Sequence, residues 1–448
     1  MHNDNNTLNN NTRFDIAPSR RRFLQGLGAA SVLPVLAACS APTIGRAPAG
    51  RVVVVGGGFG GATAAKYIKR ANPAVDVVLV EPSKRFHTCP MSNLVLAGER
   101  TLDSISHGYD ELQGTYGVRV VHALAEDVNP TARTVRLSTG TTLQYDRLLL
   151  SPGIDFRWNA IEGYDERAAE LAPHAWRAGP QTTLLRRQLE SIEDGGVFVL
   201  SVPPDPFRCP PGPYERASLI AHYFSRHKPR SKVLILDAKD NFSKQGLFQA
   251  AWKKLYGDRI EWVGLSKDGR VVRVDAARRE VQTEFGTRHK AAVLNVVPPQ
   301  KAGFIADRAG VTDPSGWVPV NPNTFESRLQ KDIYVVGDAT IAAPMPKSGF
   351  TANAQAKVAA AAIVASLEGS APAQAIWVNT CYSLAAPDYG VTVAGVYRVE
   401  NDKIITVPNS GGLSGANADD GIRRAEAAYA HGWYQAISQD TWGTPRPA

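Results

Sequence analysis

One glycine-rich turn constrains the fold of this 448-residue chain more than any other feature. Val52 to Val55 is an uninterrupted run of valines, which is typical of a strand buried on both faces. The turn at Gly56 to Gly61 reads G-x-G-x-x-G, and the stretch Ala62 to Ile68 continues it as a predicted helix. A second strand, Asp76 to Val80, ends at an acidic residue. Strand, glycine turn, helix and acid in this order predict a dinucleotide-binding α/β domain.

Each residue of this motif has a physical reason to be there. Gly56 permits a tight turn, and Gly58 lets the backbone approach a pyrophosphate held at the helix N-terminus. Gly61 permits close packing of the helix on the strand, and Glu81 would accept hydrogen bonds from an adenosine ribose. These four residues are candidate cofactor-binding residues.

Two downstream segments indicate FAD as the dinucleotide. Asp332 to Ala339 reads as a strand that ends in Gly337-Asp338. It resembles the second FAD motif of flavoproteins with two dinucleotide domains, in which the aspartate holds the ribityl chain. Thr141 to Gly153 resembles the strand and turn that return the chain to the FAD domain.

A predicted helix over 350–367 completes the expected flavin site. It is opened by Ser348, and its positive end would face the negative charge of a reduced flavin. Lys347 would add to that positive charge, with a solvated cap residue as the alternative reading.

The segment that would carry a second phosphate loop is rich in proline. The buried strand Gly196 to Val202 is followed by prolines at 203, 204 and 206 where NAD(P)H-binding flavoproteins have glycines. Proline fixes φ and has no N–H to offer a phosphate. With a further strand at Lys232 to Asp237, the sequence predicts a second dinucleotide-like domain that docks no nicotinamide cofactor.

The amino terminus has the pattern of an export signal. Ser19 to Gln25 reads S-R-R-R-F-L-Q and resembles the twin-arginine motif; the alternative is a basic tail. The weakly apolar stretch Gly26 to Ala38 is too short for a permanent membrane helix. It ends in Leu-Ala-Ala before Cys39, which resembles a lipoprotein signal box, so Cys39 is either lipidated or removed by cleavage within 38–49. Both readings predict the periplasm, an oxidising compartment.

Composition narrows the range of partners. A hydrophobic fraction of 44% and a charged fraction of 21% are ordinary for a soluble globular protein. The formal net charge of +8 is not gathered into a basic tract, so nucleic acid is not a predicted partner. The histidines lack paired metal-ligand spacing, and no metal is predicted.

Four cysteines are too few for a disulfide scaffold. Export would leave three of them in the body of the protein: Cys89, Cys209 and Cys381. Cys209 lies in the proline-rich loop, and Cys381 lies beyond the FAD segments. From residue types alone, these two are buried free thiols, a structural staple or a redox pair.

From about Arg51 to its end, the chain resembles the flavoprotein subunit of flavocytochrome c sulfide dehydrogenase, a relative of sulfide:quinone oxidoreductases. The resemblance is carried by Val53 to Gly58, Thr88-Cys89, Ser92-Asn93, Pro206 to Ser218, Pro344 to Gly349 and Asn379 to Ser383.

The resemblance implies a role for each cysteine of the body. The cysteine matching Cys89 is joined covalently to the 8α-methyl of FAD, although Pro90 stands where a bulky residue is expected. Cys209 and Cys381 match the redox disulfide above the flavin ring. Glu215 matches a glutamate proposed as the acid/base near that disulfide.

Alternatives stay open for the glutamate and for the activity. A surface ion pair with Arg216 or Arg208 is the other reading of Glu215. The resemblance implies a periplasmic sulfide dehydrogenase that passes electrons to a c-type cytochrome subunit in a heterodimer; the chain has no C-x-x-C-H haem motif of its own. The alternatives are a sulfide:quinone oxidoreductase-like enzyme and a non-catalytic FAD-binding electron-transfer partner.

The expected fold class is α/β, with two Rossmann-like dinucleotide-binding domains and a C-terminal α+β interface domain. The expected boundaries are a signal at 1–39, a linker at 40–50, an FAD domain at 51–151 and 319–367, the second dinucleotide-like domain at 152–318, and the interface domain at 368–448.

Overall fold

The computed structural model describes residues 49–443. The predicted export motif, Cys39 and nearly all of the linker lie outside the described residues. The strands are β1 Arg51–Val55, β2 Asp76–Val80, β3 Phe86–His87, β4 Ser106–His107, β5 Arg119–Val121, β6 Ala125–Asn129, β7 Thr134–Leu137, β8 Thr142–Gln144, β9 Arg147–Leu150, β10 Ile154–Phe156, β11 Val197–Val202, β12 Lys232–Asp237, β13 Ile260–Val263, β14 Val271–Asp275, β15 Glu280–Thr283, β16 Arg288–Lys290, β17 Val293–Val296, β18 Gln300–Ala302, β19 Val318–Pro319, β20 Ile333–Val335, β21 Thr340–Ile341, β22 Ile376–Ala386, β23 Tyr389–Glu400, β24 Lys403–Thr406 and β25 Gly412–Leu413. The helices are α1 Phe59–Ala71, α2 Ser92–Ala97, α3 Asp110–Gly114, α4 Ala168–Leu171, α5 Pro180–Ser191, α6 Gly212–His227, α7 Gln245–Tyr256, α8 Phe304–Arg308, α9 Gly349–Glu368 and α10 Asp420–Trp442.

The first parallel sheet has the strand order β20-β9-β1-β2-β5. Val52 to Val55 of β1 are buried because strands flank β1 on both edges and helices cover the sheet. The order of strands reverses at β1, and ligands of open α/β sheets bind at such a switch point, beyond the carboxyl ends of the strands. The glycine turn that follows β1 lies at that point.

A second parallel sheet has the order β13-β12-β11-β17. Its strands β11 and β12 correspond to the two strands predicted on the amino- and carboxyl-terminal sides of the proline-rich loop. That loop leaves the carboxyl end of β11 and leads into α6, which is the position of a phosphate loop in a dinucleotide-binding domain.

The C-terminal part combines an antiparallel sheet, β22-β23-β24 with β25, and the long helix α10. Helix α10 begins at the side-chain cap of Asp419 and runs to Trp442. The indole N–H of Trp442 donates to the carbonyl of Gly57 over 3.0 Å, so the end of α10 packs on the glycine turn. Within residues 49–443, no helix is long and apolar enough to cross a membrane.

Candidate functional site: a cavity lined by three cysteines

A cavity of about 690 Å³ opens at the carboxyl ends of the two parallel sheets. Its walls include the starts of α1, α6 and α9 and the middle of β22. All three cysteines of the described residues line it. The predicted site residues that line it are Gly56, Gly58, Glu81, Cys89, Cys209, Glu215, Gly337, Asp338, Ser348 and Cys381.

The glycine turn forms a floor that larger residues would fill. Gly56 has a φ of +99°, and a Cβ on it would lie 2.4 Å from the carbonyl oxygen of Ser151. Gly58 immediately precedes α1, and no side chain caps the first N–H groups of that helix. Uncapped N–H groups at a helix N-terminus suit a phosphate. Gly61 does not line the cavity; it allows α1 to pack on the turn.

Glu81 supports the same turn from the end of β2. One carboxylate oxygen accepts the N–H of Gly57 over 2.8 Å, and the other accepts the N–H of Ser83 over 2.9 Å. A carboxylate has about four acceptor positions, so Glu81 retains capacity for a ribose hydroxyl.

Asp338 places an unused acceptor in the cavity. Its Oδ2 accepts from Arg208 Nε over 2.7 Å, and both side chains are mostly buried. Its Oδ1 is buried and has no hydrogen-bond partner among the described residues. A buried carboxylate oxygen without a donor is costly, and a hydroxyl of a ribityl chain would supply one. The residues present therefore fit a flavin dinucleotide.

The lysine predicted beside the flavin points elsewhere. Lys347 does not line the cavity; its Nζ donates to the carbonyls of Asp338 and Thr340 and lies 3.8 Å from the centre of the Trp317 ring. Burial lowers the pKa of Lys347 to about 8. Its geometry is that of a brace for the loop carrying Asp338, and its direct contact with flavin stays a prediction that this placement does not favour.

Ser348 caps helix α9 and also lines the cavity. Its Oγ accepts the N–H of Thr351 as the cap of α9, and it also contacts Asn379 Oδ1 over 2.9 Å. Helix α9 begins and ends within one residue of the predicted 350–367. Its amino end is directed at the cavity, as expected for a helix that stabilises negative charge there.

Cys89 and Cys209 lie close enough for each to influence the ionisation of the other. The neighbouring Cys209 lowers the pKa of the Cys89 thiol against the opposing effect of burial, and the guanidinium groups of Arg208 and Arg216 lower it further. The neighbouring Cys89 and burial raise the pKa of Cys209 well above its ordinary value. The two arginines therefore favour a thiolate at this end of the cavity.

Cys209 has a strained backbone, and its side chain is not bonded to Cys381. Its φ is +58°, held by a hydrogen bond from its N–H to the Lys347 carbonyl over 2.8 Å. Non-glycine residues with positive φ persist where surrounding contacts enforce them, often at functional sites. Cys209 and Cys381 are separate thiols that line one cavity, and their pairing stays a prediction.

Glu215 is half-buried in the cavity wall rather than paired at the surface. Its carboxylate accepts Asn93 Nδ2 over 2.7 Å and the N–H of Leu384 over 2.9 Å. Among the ion pairs of residues 49–443, none joins Glu215 to Arg216 or Arg208, so the surface-pair alternative is wrong. Burial raises the pKa of Glu215, which suits a group that exchanges protons.

Sequence reasoning missed the partners of two cations near this cavity. Arg208 reaches Asp338, 130 residues away, and Lys244 reaches Cys381, 137 residues away. No local pattern signals partners at such separations. Within the described part of the chain, no group of three or more His, Cys, Asp or Glu side chains is arranged to hold a metal ion.

Comparison with known proteins agrees with this geometry. Residues 182–298 match the family model "Sulfide dehydrogenase [flavocytochrome c] flavoprotein chain, central", and residues 373–442 match "Flavocytochrome c sulphide dehydrogenase, flavin-binding". A sulfide dehydrogenase [flavocytochrome c] flavoprotein chain from Chlorobaculum thiosulfatiphilum is 62% identical over 45 residues, which is 10% of this chain and 94% of that one. The chain belongs to the flavocytochrome c sulfide dehydrogenase flavoprotein family.

More distant relatives cover more of the chain. Residues 50–191 match the pyridine nucleotide-disulphide oxidoreductase model. The mitochondrial sulfide:quinone oxidoreductase of Mus musculus is 25% identical over 64% of this chain, and the match spans 65% of that protein, just under two thirds of its length. The sulfide:quinone oxidoreductase structure from Aquifex aeolicus has a TM-score of 0.68 at 18% identity, covering 88% of this chain and 92% of that one.

These likenesses confirm the α/β fold class with its two dinucleotide-type domains. They also confirm the resemblance to sulfide-oxidising flavoproteins and the binding of a flavin. The relatives include a protein named for flavocytochrome c and a protein named for quinone.

Proposed function

We propose that this chain is an FAD-dependent sulfide dehydrogenase. The observation that carries the proposal is one cavity in which the FAD-type glycine turn, the unpartnered Asp338 Oδ1 and three cysteines meet. The turn and Asp338 would hold the cofactor, and bound FAD accepts two electrons together and releases them singly. Cys209 and Cys381 would form a redox disulfide that hydrosulfide attacks.

The sulfur chemistry begins at the two cysteines and needs the flavin as its two-electron oxidant. Hydrosulfide opens the Cys209–Cys381 disulfide, which leaves a persulfide on one cysteine and a thiolate on the other. Re-formation of the disulfide releases zero-valent sulfur, the proton of the persulfide and two electrons, which a flavin held by the glycine turn and Asp338 would accept. Glu215 lies within the cavity wall and moves the proton.

A c-type cytochrome is the proposed electron acceptor. Trp433 of α10 lines the cavity, and Tyr429, one helical turn before it, is 63% exposed. Ile422, two helical turns before Tyr429 on the same face of α10, is 50% exposed. Aromatic and apolar side chains that lead from a cofactor cavity to the surface suit docking of a one-electron protein partner. The name of the Chlorobaculum relative supports a cytochrome, and the Mus musculus relative supports quinone as the second candidate.

The proposed location is the periplasm, by twin-arginine export, with a lipid on Cys39 as a further proposal. The export motif and Cys39 lie outside the described residues, so the sequence pattern is the support for both. If Cys39 is lipidated, the amino-terminal peptide of protein from native membranes should carry the added mass of a diacylglycerol group, which mass spectrometry would detect.

Anaerobic stopped-flow mixing tests the function. Sulfide should bleach the oxidised flavin absorbance within the enzyme's turnover time, and added cytochrome c should restore it faster than a soluble quinone does. NADH should leave the flavin oxidised, because the prolines at 203, 204 and 206 offer no phosphate loop. A flavin that sulfide does not bleach would leave only an electron-transfer role.

Cys89 is the proposed covalent link to FAD. Its lowered thiol pKa and its position in the cavity support a thioether at that residue. In Cys89→Ala the turn and Asp338 still hold the cofactor, so flavin content should stay near that of the wild type. Acid precipitation should release FAD from the variant but not from the wild-type protein. Complete release from the wild type would contradict the link.

A further inference from the structure

Lys244 has a buried ammonium group. Within residues 49–443, no anionic side chain forms an ion pair with it while Cys381 is a protonated thiol. The residue is 5% exposed, and none of the ion pairs among residues 49–443 includes it. Its three N–H bonds face Cys381 O and Ser383 Oγ, each at 2.8 Å, and Val391 O at 3.3 Å. Buried ammonium groups are rare without a counter-charge, because oxygen dipoles compensate only part of the lost hydration.

The nearest group that can become an anion is the sulfur of Cys381. Lys244 Nζ lies 3.7 Å from Cys381 Sγ. Glu215 is also within electrostatic range, but both of its oxygens already accept hydrogen bonds from Asn93 and Leu384. The cation therefore lies against the one redox cysteine that belongs to β22.

The backbone at Lys244 has an unusual conformation, which directs the side chain toward Cys381. Lys244 precedes α7 with a φ of +63°, in the left-handed region. Such a conformation is unfavourable for a residue with a Cβ, so the surrounding contacts must enforce it. From this position just before α7, the Lys244 side chain reaches three oxygen acceptors on β22 and β23.

We propose that Lys244 is a positioning residue that holds negative charge on Cys381 when the Cys209–Cys381 bridge opens, which makes Cys381 the leaving sulfur. This inference rests on the proposed sulfide chemistry. The bond between hydrosulfide and Cys209 forms, the Cys209–Cys381 bond breaks, and the electron pair of the broken bond stays on Cys381. A disulfide opens toward the sulfur that is the better leaving group, and an ammonium at 3.7 Å improves it. Cys209 keeps the persulfide.

Alkylation of Cys381 tests this separately from turnover. The full-length, flavin-loaded protein is reduced with a dithiol, held without oxygen, and treated with iodoacetamide across a pH series. Mass spectrometry of the Cys381 peptide gives the pH midpoint of its reactivity. Cys209 and Tyr397, which interact electrostatically with Cys381, are left unchanged in every variant, as is Glu215, which interacts with Cys209.

In Lys244→Met, the midpoint of Cys381 alkylation should rise by about one pH unit or more, because an opposite charge within hydrogen-bonding range favours the thiolate. Lys244→Arg keeps the charge and should stay within a few tenths of a unit of wild type. Lys66→Met is the matched control: Lys66 is also 5% exposed and donates to the carbonyls of Gln439 and Asp440, far from Cys381. It should lose stability without moving the midpoint.

A folded Lys244→Met with the wild-type alkylation profile would overturn the proposal. If that variant does not fold, Lys244→Gln replaces the charge with a neutral donor, and an unshifted midpoint there overturns it equally. Sulfide-dependent bleaching should fall about tenfold in the neutral variants and recover in Lys244→Arg. If wild-type protein is not bleached by sulfide but the midpoint still shifts, the proposed function fails, and the contact between Lys244 and Cys381 stands.

Discussion

Replacing either Cys209 or Cys381 with serine is expected to lower sulfide-dependent flavin reduction by several orders of magnitude. Serine keeps the size of the side chain but cannot form or re-form a bond to sulfur. Since the two cysteines act as one unit, the double variant should be no slower than either single variant. Cys89 should not substitute for either of them because we propose that it is committed to the flavin.

Thermal unfolding of the same variants separates this role from a structural one. A bridge that only stabilises the fold would cost about 2–5 kcal/mol and leave turnover intact in the folded fraction. Cys39→Ser makes the same substitution outside the described residues and should leave flavin reduction unchanged. Folded Cys209→Ser and Cys381→Ser proteins that bleach at the wild-type rate would refute the sulfur mechanism.

Substitution of Gly61 with alanine is expected to prevent stable flavin binding. A Cβ on Gly61 would lie 1.8 Å from the carbonyl oxygen of Gly56 and 3.3 Å from Val54. Both neighbours belong to the central strand and its turn, so α1 must move away from the sheet. Overpacking at a rigid contact costs about 3 kcal/mol or more. Flavin absorbance relative to protein after gel filtration, together with the Tm, measures the effect.

Gly246→Ala is the matched control for that experiment. Gly246 also lies in the first turn of a helix, α7, but an added Cβ there meets no atom within 4 Å. The substitution should change stability by less than about 1 kcal/mol and in the stabilising direction, because alanine has the higher helix propensity. Equal flavin content in the two variants would show that close packing at Gly61 is not needed for the site.

Much of the fold could be predicted because its signals are local. The valine run, the glycine turn and the strand Lys232–Asp237 are specified by residues adjacent in the chain, and the helix 350–367 is observed within one residue at each end. The prolines after β11 likewise indicated a loop unlike a phosphate site. The last turn of α10 depends instead on long-range packing, because the Trp442 indole donates to the carbonyl of Gly57, which is distant in the chain.

The electrostatics of the site depended instead on the tertiary structure. Lys347 stands next to the helix that faces the cavity, and from sequence its charge would belong to the flavin. In the fold its ammonium is buried, and buried N–H groups need acceptors, which the carbonyls of Asp338 and Thr340 provide. Lys244 has no such neighbour in sequence, yet folding brings it to Cys381 across 137 residues. Residue types specify which charges exist, whereas only long-range packing decides which of them share a cavity, because burial and distance set the strength of every interaction between them.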